Sequence, residues 1–120
     1  MTLIPLGEAK GRSGWTVRAR DGREFAVFQA AGRIYVTDNR CPHNGGPLAD
    51  GWIRDECVLV CPWHRFRFDL RSGQCATLPR YQLRLYPVIE QNGTLVADVG
   101  DPPPPKSLAE RLRAYARSQR

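Results

Sequence analysis

The sequence predicts an all-β fold, an antiparallel body with one irregular segment near its middle and a short helix at its C-terminal end. Three observations carry this reading. Short runs alternate apolar and polar residues with a period of two, as in WTVRAR, EFAVFQA and GRIYVTD, which is the pattern of half-buried strands. Turn residues stand between the runs, at Asp21-Gly22, Gly32 and Asn92-Gly93, where a tight connection needs a backbone that tolerates positive φ. Between Asp38 and Tyr81 the regular spacing fails, and prolines, glycines and both histidines of the chain gather there.

In chain order, the first run places Trp15, Val17 and Ala19 on one face. RDGRE turns it into EFAVFQA, whose aromatic and branched side chains suit a pleated surface. AAGR then leads into GRIYVTD, with Ile34 and Val36 alternating against polar neighbours. After the irregular segment, QLRLYPVI and GTLVADV repeat the habit on either side of EQNGT, a strong hairpin signal. The prolines of residues 101–106 cannot continue a ladder and are expected to form an extended linker. Residues 107–120 follow as a basic helix, with Ser107 and Glu110 at capping-box spacing and Leu108, Leu112 and Tyr115 at helical intervals.

A chain of 120 residues is one domain's worth, so any activity must fit in one small fold. Its charge of +6 is spread thinly: the first 100 residues hold 13 basic and 10 acidic side chains, the last 20 hold 5 and 2. No basic stripe interleaved with aromatics appears, so no nucleic-acid partner is expected. The N-terminus lacks a charged segment followed by a sustained apolar run, and no stretch approaches a membrane span. A cytoplasmic protein, monomeric and without a membrane partner, is the expectation. In that setting Cys41, Cys57, Cys61 and Cys75 read more readily as metal ligands plus spare thiols than as two disulfides.

CPHNGGPL starts at Cys41 and CPWHRFRFD at Cys61. Cys41 and His43 are one residue apart, Cys61 and His64 two, and 17 residues separate His43 from Cys61. Two short loops thus each offer one thiolate and one imidazole. Zinc accepts two sulfurs and two nitrogens, but its usual spacings put both cysteines in one loop and both histidines in the other. The mixed arrangement favours a binuclear site, in which each loop reaches both metals. A zinc-stabilised interaction module remains the rival from another class.

These two stretches resemble the Rieske iron-sulfur signature, and particularly the Rieske-type ferredoxins. The resemblance is sharpest from Asn39 to Asp69, and LRLYPV at Leu83–Val88 is similar to the segment after the proline-bearing third loop. It implies a Rieske iron-sulfur fold over residues 1–100, a sandwich or barrel-like body with a cluster-binding subdomain at about residues 39–81. It implies one [2Fe-2S] cluster, with Cys41 and Cys61 on the iron that stays ferric and His43 and His64 on the iron that cycles. Neutral histidines in place of anionic cysteinates leave the cluster less negative and raise its potential. On this reading Pro42 and Pro62 stiffen the loops, Gly45 and Gly46 let amides approach the sulfides, and Trp63 shields the site from water. Cys57 and Cys75 are expected to be apolar fillers, Cys57 on the strand leading to Cys61.

The departures from the family pattern are informative too. In respiratory-complex Rieske proteins an additional disulfide ties the loops, and its cysteines would fall at Gly46 and Trp63, where neither residue can bridge. Hydroxyl donors of those proteins correspond to Phe66 and Phe68, which points to the low end, about −150 mV, of the Rieske range. Arg65 stands where many ferredoxin-type members have glycine. With Arg40, Arg67 and Arg71 it is expected either to favour an acidic face on a partner or to be scattered solvated charge.

The chain has no room for a flavin, nicotinamide or mononuclear iron domain. The resemblance therefore implies an electron-transfer protein without catalytic residues, which takes electrons from a flavin-dependent NAD(P)H reductase and passes them to a terminal oxygenase such as a ring-hydroxylating dioxygenase. The alternatives within the family are the small Rieske subunit of an NAD(P)H-dependent nitrite reductase and a redox sensor acting through its helical tail.

Overall fold

Strand β3 (Glu24–Ala30) organises the molecule, because both of its faces are buried. Phe25 and Val27 point into one core while Ala26, Phe28 and Ala30 point into another, as the period of two demands. The computed structural model describes residues 2–7, 13–43 and 45–101. Within them β1 (Leu3–Pro5), β10 (Thr94–Asp98) and β9 (Val88–Gln91) form one antiparallel sheet. A central sheet runs β2 (Gly14–Arg18), β3, β4 (Arg33–Asp38), β8 (Leu85–Tyr86). The third contains β5 (Trp52–Arg54), β6 (Val58–Val60) and β7 (Arg67–Asp69). The central sheet is the wall between two cores. On one side Ile4, Leu6, Val36, Tyr86, Ala97 and Val99 join Phe25 and Val27; on the other, Leu48, Leu59, Phe68, Leu70 and Leu83 join Phe28 together with all four cysteines.

The antiparallel all-β expectation holds, with differences in detail. Two of the three turn signals form two-residue hairpin turns: Ala31 and Gly32 have φ +51° and +76°, and Asn92 and Gly93 +52° and +78°, the geometry matched to strand twist. The run QLRLYPVI is two strands on two sheets. Tyr86 pairs with Val36 and Val88 with Ala97, and Pro87 between them, having no N–H to give a ladder, marks the crossing. Cys57 lies just before β6 rather than on a strand. The third sheet and β1 were not expected; each of their strands has three residues, too few for alternation to register.

Among the described residues no helix is long and apolar enough to cross a membrane. The expected linker after Asp101 and the helix at 107–120 lie outside them.

Candidate metal centre

Two hooks of the same construction carry the cysteine–histidine pairs. In the first, Cys41 N–H donates to the Gly46 carbonyl at 2.9 Å and Gly45 N–H to the Cys41 carbonyl at 2.7 Å. In the second, Cys61 N–H donates to Phe66 O at 2.8 Å and Arg65 N–H to Cys61 O at 3.0 Å. Each cysteine thus bonds four and five residues ahead, and the residue four ahead is left-handed in both: φ is +82° at Gly45 and +57° at Arg65. Gly45 takes this conformation freely, whereas Arg65 has a Cβ to accommodate. The Gly45 amide is taken up inside its own hook, so its expected part in approaching sulfides passes to its conformational freedom instead.

The hooks bring the two imidazoles together. The His43 and His64 ring centroids are 5.2 Å apart with planes at 82°. His64 is exposed and His43 half-buried. Phe66 stacks on His43 at 3.9 Å with planes 13° apart, and Tyr81 from the third loop meets the same ring edge-on at 5.4 Å. Beneath these covers the Nδ1 of His43 is buried without a hydrogen-bond partner, a position worth about 1–3 kcal/mol of penalty unless something takes up its lone pair or proton. Cys41 and Cys61 are 3% and 0% exposed in the adjoining core, where a thiolate needs a positive partner such as a metal. Among the described residues no three His, Cys, Asp or Glu side chains are grouped to hold a single metal ion; a binuclear group taking two donors on each metal needs no such group of three.

Gly46 is the tight point between the hooks. A Cβ there would stand 3.0 Å from Cys61 Sγ and 3.1 Å from the Trp63 indole, so a side chain fits only if those neighbours give by a few tenths of an ångström. Trp63 lies against Gly46 through Cγ and Cδ2 and is 58% exposed.

The remaining expected residues fall as follows. Cys57 and Cys75 are 2% and 1% exposed core residues. Cys57 Sγ is 3.8 Å from the Tyr35 hydroxyl, and Cys75 Sγ accepts the Leu78 N–H at 3.4 Å. Phe68 is fully buried in β7 and belongs to the core, whereas Phe66 serves the site through its ring. Of the basic side chains, Arg71 is held by Asp69 at 3.4 Å, Arg80 lies over the Tyr81 ring at 5.1 Å, and Arg65 is exposed beside His64. Tyr81 was missed in the sequence; its place two residues after Pro79 on the expected third loop was the available signal.

Residues 5–87 match the family described as the Rieske [2Fe-2S] domain. The chain is 34% identical over 80 residues, 66% of its own length and 76% of the other's, to the ferredoxin component of the naphthalene 1,2-dioxygenase system of Pseudomonas putida. Among solved structures, the Sphingomonas yanoikuyae B1 ferredoxin is 28% identical with a TM-score of 0.64, over 83% of this chain and 98% of that one. The complex of reduced oxygenase and oxidized ferredoxin in carbazole 1,9a-dioxygenase contains a chain with a TM-score of 0.69, over 80% of this chain and 92% of that one; at 22% identity the likeness is one of fold.

Proposed function

Because the chain belongs to the Rieske [2Fe-2S] domain family, we propose that it is a Rieske-type ferredoxin whose donor is a flavin-dependent NAD(P)H reductase and whose acceptor is a terminal oxygenase of the ring-hydroxylating kind. The family's cofactor is a Rieske-type [2Fe-2S] cluster, and the relatives are named as ferredoxin components, electron carriers rather than catalysts. The assignment gives the cluster to Cys41 and Cys61 on one iron and His43 and His64 on the other. One observation supports it: the Nδ1 of His43 is buried without a hydrogen-bond partner and set 5.2 Å ring to ring from His64, and a buried polar atom of this kind needs a partner that a metal can supply.

When bound, such a cluster supplies a centre that takes up and gives back a single electron. The chain's own residues do the rest. Buried thiols at positions 41 and 61 keep water from the sulfur side of the site. Phe66 and Tyr81 close over His43, while exposed His64 lets a partner surface come against its imidazole.

The test is an absorption spectrum of anaerobically purified protein, then electron paramagnetic resonance after dithionite reduction. A red-brown protein with the low average g of a mixed-histidine centre is expected, with a midpoint toward about −150 mV. A colourless protein with stoichiometric zinc would overturn the cluster and favour the interaction module, and a midpoint well above zero would overturn the low-potential reading.

A further inference from the structure

The geometry points to Trp63 as a positioning residue: we propose that its indole, seated on Gly46, braces the two cysteine–histidine hooks against each other and fixes the spacing of their donors. The inference rests on the reading of these loops as the cluster-holding loops. Trp63 belongs to the second hook and Gly46 closes the first, its carbonyl accepting the Cys41 N–H at 2.9 Å. A Cβ on Gly46 would meet ring atoms Cγ and Cδ2 at 3.1 Å and Cys61 Sγ at 3.0 Å. The Gly46 backbone therefore packs close against the indole and a donor sulfur of the opposite loop, and a shift of Gly46 toward that loop would drive it into them.

An indole 58% exposed gives up much of the burial that usually recruits tryptophan, so burial alone does not account for it here. The contact does. The His43–Phe66 stack also crosses between the hooks, but it engages a donor side chain; the Trp63–Gly46 contact engages none. It can thus hold the loops in place before a cluster arrives and while its histidines are occupied, as a support around a metal centre does.

The experiment compares cluster retention, read as the bleaching rate of the visible absorption under chelator, with the linewidth of the reduced resonance signal. The proteins are wild type, Trp63→Ala and Trp63→Phe, each also melted free of metal. Trp63→Ala is expected to bleach about tenfold faster, the low end of what loss of a supporting contact costs at metal sites, and to give a broader signal. Its metal-free melting temperature should fall as well, because the brace acts without the cluster. Trp63→Phe should recover most of both losses.

Wild-type retention or an unchanged metal-free melting temperature in Trp63→Ala overturns the brace. If Trp63→Ala takes up no cluster, Trp63→Phe and the metal-free melting temperatures decide by the same criteria. A wild type that binds no iron defeats the cluster assignment instead, and the metal-free melting comparison still judges the brace.

Discussion

Arg65 holds a backbone conformation that is costly for a residue with a Cβ. At φ +57° its side chain crowds the following carbonyl at about 1–2 kcal/mol, whereas Gly45, its counterpart in the first hook, has no Cβ to crowd. Arg65→Gly is expected to stabilise the metal-free protein by about 0.5–1 kcal/mol in chemical denaturation, released strain outweighing the extra freedom glycine has when unfolded. A loss of stability would show that the arginine makes a compensating contact. Tyr86 is the residue through which alkaline pH acts on the fold. Burial first, then its 2.6 Å hydrogen bond to Asp38, pushes its hydroxyl from 10.0 up to about 12. The fold favours the neutral form, so its contribution is full below pH 10 and is lost as pH rises through about 12. Tyr86→Phe should therefore lose less stability than wild type across that window; parallel curves of denaturation midpoint against pH would refute this. The four proposed donors were legible in the sequence because their spacing is local. Phe66 on His43 and Trp63 on Gly46 were not, since those contacts depend on how two loops far apart in the chain are set against each other.

The strands show where periodicity succeeds and where it stops. β3 and β4 were readable because they are seven and six residues long, enough for alternation to stand out, and the Asn92-Gly93 turn announced its hairpin. The β5–β7 sheet was hidden by strands of three residues and by the second hook, with Pro62, set between β6 and β7. Pro87 looked like an interruption within one strand and is the step from one sheet to another. Gly51, just before β5, is the position where this short sheet is most exposed to a single change. A Cβ there would collide with the Val60 carbonyl and stand 3.1 Å from that of Leu48. Gly51→Ala is expected to destabilise the protein by about 1–3 kcal/mol through overpacking and to lower iron content, because β6 leads directly into Cys61. Full iron content with an unchanged denaturation midpoint would show that the strand shifts without cost.

At the scale of the whole molecule, charge is distributed unevenly even though its total is modest. The three segments around the histidines, 40–48, 61–68 and 76–82, contain Arg40, Arg65, Arg67 and Arg80 and no acidic residue. A basic face of this kind steers an acidic partner by long-range attraction, which salt screens. Reversing Arg65 to glutamate should slow electron transfer from the reductase more at low ionic strength than at high; equal slowing at both would reject a docking role. The wall formed by β3 has a further consequence, for anyone wishing to transplant the iron-holding part. Segment 39–81 looks like a portable module, yet its core is completed by Ala26, Phe28 and Ala30 from β3 and by Leu83. Excised as a peptide, it would present those contacts to water, so a miniature version must carry a substitute for the strand behind it as well as the two loops in front.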